Sequence, residues 1–452
     1  MAKGISNPEI DLVGVTELLH EHLTGALVAS AYEALREDER RRVWTLERMV
    51  AFWTAVILRA PPSLSAALRE ASGGRMGYPP VESSHQAFFQ RCEDLRWDFF
   101  AEVFAAFRDS VKASEPPRFA GRHRRLSEVF PAIHIFDGST LDPVARRLKI
   151  TQGHTAVPLP GVIFACYDLR RGTLEHLGYS HTLEQAELLS AREVLERLPK
   201  GSLALGDRLY GTPAFLADVD ACGLFGVFRR PNNGKVEPGE ELGRFEYRGG
   251  ILEDSLITLG ARAKLPARLV RFTLGAKTYE FVTNVLDPER LSAVEIADLY
   301  DDRWDVERMF HDLKEVLNLG CFYCGNANAV AMQLYASAIV HTAMRTAQGR
   351  IAEAAAIEPE ALSPAKLFPL LGAAAATLAT FEYAFLMTQL ANPDVTLNKP
   401  DWRRACSLRI ALKRILADKT RGSRPRTTTK TFEWGVRWRE LPPPPGARKK
   451  GR

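Results

Sequence analysis

Two aspartates stand at positions where carboxylates can act together. Asp137 comes after an apolar run that predicts a strand, and Gly138-Ser139-Thr140 follows it. Asp207 follows Gly206 at the end of another predicted strand. Groups at the carboxyl ends of strands face the ligand crevice of an α/β sheet, and carboxylate oxygens suit hard divalent cations. The pair is a candidate cation site, although a single Asp at a strand end more commonly caps a turn.

A charged stripe on a predicted helix supplies a third acid. At about 100° per residue, five polar side chains between residues 299 and 317 fall close together on one helix face. They are Tyr300, Arg303, Glu307, His311 and Lys314. Such a stripe is either a solvated surface or the wall of a cleft. The apolar arc beside it, which includes Phe310 and Leu313, is predicted to pack inward and therefore favours a cleft.

The charge distribution indicates a polyanionic partner. The chain has 452 residues, of which 46% are hydrophobic and 25% charged, as in globular proteins of several domains. Its net charge is +5, but the last 52 residues contain sixteen Lys or Arg and four Asp or Glu. This basic tail on an acidic body favours salt-sensitive binding to nucleic acid. A solubilising tail is the alternative.

Neither a zinc site nor a membrane span is predicted. Six cysteines are scattered along the chain, which is typical of a protein of the reducing cytoplasm. Cys321 and Cys324 form a C-x-x-C pair, but no second ligand pair lies at a suitable spacing, so we assign no zinc. The apolar stretch 367–390 is interrupted by Pro369 and Glu382, which predicts a buried helix hairpin and not a bilayer-spanning helix.

The order of predicted elements gives a fold class. Apolar and β-branched runs predict three consecutive antiparallel strands, then helix, strand, helix and strand. Their ranges are residues 132–136, 161–167, 173–179, 183–198, 202–205, 213–221 and 224–228. This is the element order of the ribonuclease H-like fold. Short strands with Gly and Asn turns then predict a β-rich insertion, and Ser292 with Glu295 predicts the N-cap of the helix that leads to Glu307.

At these residues the chain resembles the insertion-sequence-four family of bacterial DDE transposases. The family's Y-(2)-R-(3)-E-(6)-K signature is matched without a gap by the helix stripe, from Tyr300 to Lys314. Its D-G-[ST] and G-D-x-x-Y contexts match Asp137-Gly138-Ser139 and Gly206-Asp207-Arg208-Leu209-Tyr210. The family also inserts a β-rich domain between its second and third acids. The resemblance spans residues 119–340 of this chain.

The resemblance implies a mixed α/β protein with a ribonuclease H-like catalytic core. The β-rich insertion then lies between the second Asp and the Glu, and helical regions flank the core on both sides. The expected division is an N-terminal helical, DNA-binding domain over residues 1–115, the first part of the catalytic domain over 116–229, the insertion over 230–290, the last part of the catalytic domain over 291–345, and a C-terminal helical region with the basic tail over 346–452.

The resemblance also implies a role for each motif residue. Asp137, Asp207 and Glu307 would bind two Mg²⁺ or Mn²⁺ ions, which cleave and join phosphodiesters. The expected DNA-binding residues are Tyr300, Arg303, Lys314, His311 and Arg208. Well-known members stack an inserted-domain tryptophan on a flipped base beside a hairpinned DNA end, but residues 208–299 contain no Trp. Seven aromatic residues are substitutes, most of them expected in the core: Phe225, Phe228, Phe245, Tyr247, Phe272, Tyr279 and Phe281.

The expected function is that of a cut-and-paste transposase. It would bind double-stranded DNA at the terminal inverted repeats of an insertion sequence, pair two ends as a homodimer, and join them to target DNA in the bacterial cytoplasm at the nucleoid. Two alternatives stay open. One is a DNA-binding regulator or domesticated derivative without turnover, and the other is a metal-dependent nuclease of the same fold.

Overall fold

The structure is a computed structural model, and it describes residues 9–12, 14–35, 42–73, 78–140, 162–180, 187–232, 235–261, 264–317, 319, 322–391, 409–411 and 414–417. The basic tail after residue 417, Cys321 and Cys406 lie outside the described residues. The strands are β1 (Glu9–Asp11), β2 (Ile133–Thr140), β3 (Val162–Asp168), β4 (Thr173–Ser180), β5 (Leu203–Gly206), β6 (Phe225–Arg229), β7 (Val236–Tyr247), β8 (Gly250–Leu259), β9 (Leu265–Leu274), β10 (Lys277–Thr283) and β11 (Arg409–Ala411).

The α-helices are α1 (Gly14–His22), α2 (Gly25–Glu33), α3 (Leu46–Arg59), α4 (Leu64–Ser72), α5 (His85–Asp94), α6 (Asp98–Ser114), α7 (Arg124–Val129), α8 (Glu187–Leu195), α9 (Pro213–Ala221), α10 (Ala293–Asp302), α11 (Trp304–His311), α12 (Ala327–Ala354) and α13 (Pro364–Ala391). Ser and Thr side chains cap many of them. Ser292 and Glu295 form the predicted capping box at the start of α10.

A nine-stranded sheet organises the chain in the order β4-β3-β2-β5-β6-β10-β9-β8-β7. In its first five strands, β2 pairs antiparallel with β3 and parallel with β5, β3 pairs antiparallel with β4, and β5 pairs parallel with β6. A short turn joins the antiparallel strands β3 and β4, whereas the chain passes through α8 before β5 and through α9 between the parallel strands β5 and β6. This is the ribonuclease H-like arrangement, and the predicted fold class is confirmed.

The β-rich insertion continues the same sheet. β10 pairs antiparallel with β6, and β9, β8 and β7 follow as a meander. The Asn284 side chain stabilises the junction between β6 and β10. It accepts a hydrogen bond from the Gly226 N–H at 2.8 Å and donates one to the Leu224 carbonyl at 3.0 Å. Buried Arg268 donates to both oxygens of Asp254, at 2.7 and 2.6 Å. The pairing of β10 with β6 and the hydrogen bonds of Asn284 therefore connect the insertion to the first five strands of the sheet.

Three predicted elements differ from the structure. β2 does not end at Asp137 but runs on to Thr140. The helix predicted over residues 299–317 is divided, because α10 ends at Asp302, α11 begins at Trp304, and a π-helical turn occupies Asp312–Val316. The stretch 367–390 is one helix, α13, and not a hairpin: a proline removes a single backbone hydrogen bond, and the many Ala and Leu residues keep the helix intact.

The remaining helices form a layer against one face of the sheet. α12 is buried on nearly all sides and contacts α1, α3, α5 and α6 of the N-terminal region, α13 of the C-terminal region, and β4. β1 pairs with β11, so segments from both ends of the chain meet. The division into five domains stays a prediction. No helix among the described residues is both long and apolar enough to cross a bilayer.

Candidate active site

Asp137 lies in β2, and Asp207 is the first residue after the adjacent parallel strand β5. The register pairs Ile133 with Leu203 and Ile135 with Leu205, and the two aspartates stand two positions after the last of these pairs. Side chains alternate between the faces of a sheet, and neighbouring strands are about 4.8 Å apart. Both carboxylates therefore occupy the same face, at the end of β5.

Asp207 also caps a turn. Its Oδ1 accepts a hydrogen bond from the Leu209 N–H at 2.8 Å. The structural role that a lone Asp commonly has is thus present here. That bond uses one carboxylate oxygen and holds the side chain in place.

Glu307 approaches the two aspartates from α11, which packs against β2. Burial raises the pKa of Glu307, with a further increase from the charge of Asp207 and an opposing effect from Arg303. Burial also raises the pKa of Asp137 to about 7; Arg303 opposes this shift, while Glu307, Glu187 and Asp207 add to it. Since like charges raise one another's pKa only at short range, the three acids share one electrostatic environment.

Arg303 lies beside these acids and is only 8% exposed. Its Nη2 donates to Glu307 Oε1 at 2.9 Å, and its guanidinium lies 4.9 Å from the Trp304 ring centroid and 5.6 Å from that of Tyr300. Its Nε is buried without a hydrogen-bond partner among the described atoms. Arg303 thus compensates part of the negative charge of the pocket and keeps one donor unused.

Tyr300, His311 and Arg208, three of the other predicted DNA-binding residues, differ in their exposure. Tyr300 is half-buried, with its ring 4.6 Å from that of Phe281. His311 is exposed, and a hydrogen bond with Asp312 raises its pKa. Arg208 is exposed next to Asp207.

Lys314 departs from the predicted stripe. It lies in the π-helical turn, with its Nζ 5.8 Å from the Phe310 ring centroid. A π-helical turn pairs residues i and i+5, so it rotates less per residue than an α-helix. The side chain is therefore displaced from the α-helical position assumed in the sequence analysis. Such turns occur often at functional sites.

A tighter group of potential ligands lies elsewhere. Within the described part of the chain, the group whose ligand atoms all lie within 4.8 Å of one another is His134, Asp168 and Glu175, and not the three acids above. Lys112 Nζ donates to both Glu175 oxygens, at 2.9 and 2.7 Å. Burial raises the pKa of Glu175, but Arg108 and Lys112 bring it below its usual value. These bonds join α6 to β4 as a buried ion-pair network.

The inserted strands carry a partly exposed aromatic row. Tyr247, Phe272 and Tyr279 contact one another, with centroid distances of 5.5 and 6.3 Å, and Phe245 is 46% exposed. Phe228 and Phe281 are buried, and Phe225 packs under Arg290. Five of the seven candidates are therefore at least partly exposed: Phe225, Phe245, Tyr247, Phe272 and Tyr279.

Two residues near the acids were absent from the sequence analysis. Trp304 is 41% exposed on the helix that carries Glu307. The sequence signal for Trp304 is a large aromatic residue that lies outside the apolar arc of the helix. Glu187 begins α8 and accepts a hydrogen bond from the Tyr210 hydroxyl. No local pattern marks Glu187, because its partners are distant in the sequence.

The transposase DDE domain family matches residues 160–343 of this chain. The match includes Asp207 and Glu307 and begins after Asp137. A protein of Synechocystis sp. named "Putative transposase for insertion sequence element IS4SA" is 23% identical over 223 residues, or 48% of this chain and 60% of the relative. A protein of Sinorhizobium fredii named "Putative transposase y4zB" is 32% identical over 99 residues, or 22% of this chain and 28% of the relative.

The chain thus spans less than two thirds of either relative's length. A solved structure, the piggyBac transposase synaptic complex with hairpin DNA, aligns with a TM-score of 0.43 and 10% identity over 94% of this chain and 91% of that chain. This level of structural similarity does not bear on the candidate active site. Membership of the insertion-sequence-four family in particular stays a prediction. Residues 160–343 thus match the transposase DDE domain family, and parts of the chain are similar to two bacterial proteins named as putative transposases.

Proposed function

We propose that this chain is a cut-and-paste DNA transposase of the insertion-sequence-four type. Asp137, Asp207 and Glu307 would bind two Mg²⁺ or Mn²⁺ ions and act on the ends of an insertion sequence. One observation carries the proposal: Asp137, Asp207 and Glu307 come from three separate segments to one end of the sheet, where burial, with a smaller contribution from neighbouring carboxylates, raises the pKa of Asp137 and Glu307. Several carboxylates close together repel one another when they are ionised, and a bound cation would remove that repulsion. A cation site therefore explains why the three acids lie together.

The donor set fits the proposed ions. All three side chains are carboxylates, which hard cations prefer. A proton on Asp137 near neutral pH is easily displaced, because its pKa is about 7. Two bound cations would supply a deprotonated nucleophile and stabilise the leaving oxygen of a phosphodiester. Asp137, Asp207 and Glu307 would hold these ions.

Arg303 changes partner in this mechanism. In the structure its guanidinium binds Glu307. In the DNA complex it would donate instead to a phosphate oxygen, whose geometry the planar guanidinium also fits. Arg303 would then neutralise part of the carboxylate charge in the free protein and bind a phosphate in the DNA complex.

The surface around the pocket supplies the remaining DNA contacts. Tyr300, Lys314, His311 and Arg208 would contact phosphates near the cleaved end. Trp304 offers an exposed ring for stacking on an unpaired base, and the aromatic row of the insertion offers a second stacking surface. The proposal includes a homodimer that pairs two DNA ends, acting on the nucleoid in the cytoplasm.

The test uses purified protein, a labelled duplex of the element's terminal inverted repeat and Mg²⁺. Nicking followed by a joined product supports the transposase, nicking without joining supports a nuclease, and binding without nicking supports a regulator. Asp137→Ala, Asp207→Ala and Glu307→Ala should each abolish cleavage and retain end binding. Asp301→Ala, an exposed acid on α10, is the matched control and should cut normally. Near-native cutting by any of the three variants would refute the assignment of that residue.

A further inference from the structure

Glu187 connects the two aspartate-bearing segments. It is the first residue of α8. One carboxylate oxygen, Oε1, accepts a hydrogen bond from the hydroxyl of Tyr210, three residues after Asp207. The other carboxylate oxygen, Oε2, packs against Gly138, the residue after Asp137. A single side chain therefore bridges the neighbourhoods of both acids.

Two glycines make room for this bridge. A Cβ on Gly138 would fall well inside van der Waals contact with Glu187 Oε2. A Cβ on Gly206 would lie 2.6 Å from the Tyr210 ring. Gly138 does not serve a turn, because it lies within β2 and pairs with Phe164. Packing therefore favours glycine at positions 138 and 206, because Glu187 and Tyr210 leave no room for a larger side chain there.

The hydrogen bond to Tyr210 restrains Glu187, which is itself half-buried. Tyr210 is fully buried, and its ring packs against Phe136 and Phe215 at centroid distances of 5.9 and 5.2 Å. The Tyr210 hydroxyl therefore has little freedom to move. A carboxylate that is held by one rigid hydroxyl and packed against the strand backbone at Gly138 in turn limits the separation of β2 and the loop after β5. That separation determines the distance between the side chains of Asp137 and Asp207.

We propose that Glu187 is a positioning residue that sets the spacing of Asp137 and Asp207 through Gly138 and Tyr210. The inference rests on the proposed function, because it assigns to that spacing the binding of divalent cations. Glu187 acts through the residues that flank the two acids. Loss of such a supporting contact commonly lowers metal affinity or activity by about 10–100-fold.

The test compares Glu187→Ala, Glu187→Gln and Tyr210→Phe with Glu193→Ala, an exposed acid on the same helix. The readouts are Mn²⁺ affinity by calorimetry and the Mn²⁺ concentration that gives half-maximal cleavage. Glu187→Ala should weaken Mn²⁺ binding by about tenfold with little change in cleavage rate at saturating metal. Glu187→Gln keeps one of the two acceptor oxygens and should recover part of the affinity, and Tyr210→Phe should have an intermediate effect.

A double variant separates positioning from general damage. If Glu187 and Tyr210 act as one unit, the double variant Glu187→Ala/Tyr210→Phe should bind Mn²⁺ no more weakly than Glu187→Ala. Losses that multiply would overturn the inference, as would a Glu187→Ala affinity equal to that of Glu193→Ala. Wild-type protein that neither binds Mn²⁺ nor cleaves would instead refute the proposed function. The same double-variant comparison by thermal unfolding then still shows whether the two side chains are coupled.

Discussion

The pKa of Asp137 makes the proposed metal affinity depend on pH near neutrality. Burial together with the charges of Glu307, Glu187 and Asp207 raises this pKa from 3.8 to about 7. A coordinating carboxylate must lose its proton. With a pKa of 7, about 9% of Asp137 is deprotonated at pH 6 and about 91% at pH 8. Apparent Mn²⁺ affinity should therefore rise about tenfold between pH 6 and pH 8, and the raised pKa of Glu307 can only steepen the change.

The stability of the metal-free protein should change in the opposite direction. The folded-state pKa of Asp137 lies above the unfolded value, so the folded state holds more protons between pH 3.8 and about 7. Stability should therefore fall as pH rises through that window. The shift corresponds to at most about 4 kcal/mol at pH 8. Asp137→Asn, which cannot ionise, should raise the Tm of the metal-free protein at pH 8.

The assay is Mn²⁺ calorimetry at pH 6, 7 and 8, with Asp137→Asn and the exposed control Asp301→Asn. Asp137→Asn should bind more weakly and lose most of the pH dependence, while Asp301→Asn should behave like the wild type. A wild-type affinity that changes less than twofold between pH 6 and pH 8 would refute the reasoning. An unchanged pH dependence in Asp137→Asn would assign the titration to another group.

Three further predictions concern packing and DNA contacts. Asp254→Ala leaves the buried Arg268 guanidinium without its carboxylate, so the free energy of unfolding should fall by about 3–5 kcal/mol in urea titrations; a loss below about 1 kcal/mol would contradict a tight ion pair. Gly138→Ala places a Cβ against Glu187 and should cost about 1–3 kcal/mol, whereas Gly249→Ala, with no atom within 4 Å of its Cβ, tests backbone strain alone. Equal costs for both would argue against the close approach of Glu187. Lys314→Ala should weaken gel-shift binding to the cleaved end more than to random duplex, and equal losses would make it a generic phosphate contact.

Local patterns were sufficient for the catalytic half of the sheet. β2, β3 and β4 are apolar, β-branched runs, and both aspartates adjoin glycines in short motifs. The capping box at Ser292 placed the start of α10 correctly. Each of these features depends on residues close together in the sequence, so each could be predicted from it.

Long-range features could not be predicted in this way. The first half of β7 is exposed and polar, as suits an edge strand, and it shows no apolar alternation. Its sheet joins the core through the pairing of β6 with β10, which periodicity does not encode. Glu187 was missed for the same reason, since its partners are 49 and 23 positions away in the sequence. Gly138 and Gly206 were the available sequence signal for a close contact, but the sequence does not show that Glu187 and Tyr210 make it.

The pairing of β6 with β10 limits how the insertion can change length during evolution. The chain leaves β10 at Thr283 and enters α10 at Ala293, so the helix that precedes Glu307 is tied to the innermost inserted strand. Removing β10 or altering its register would displace the third carboxylate. Additional strands beyond β7, by contrast, would lengthen the outer edge and leave that carboxylate in place. Relatives with longer or shorter insertions should therefore differ at the outer edge and retain the innermost strand.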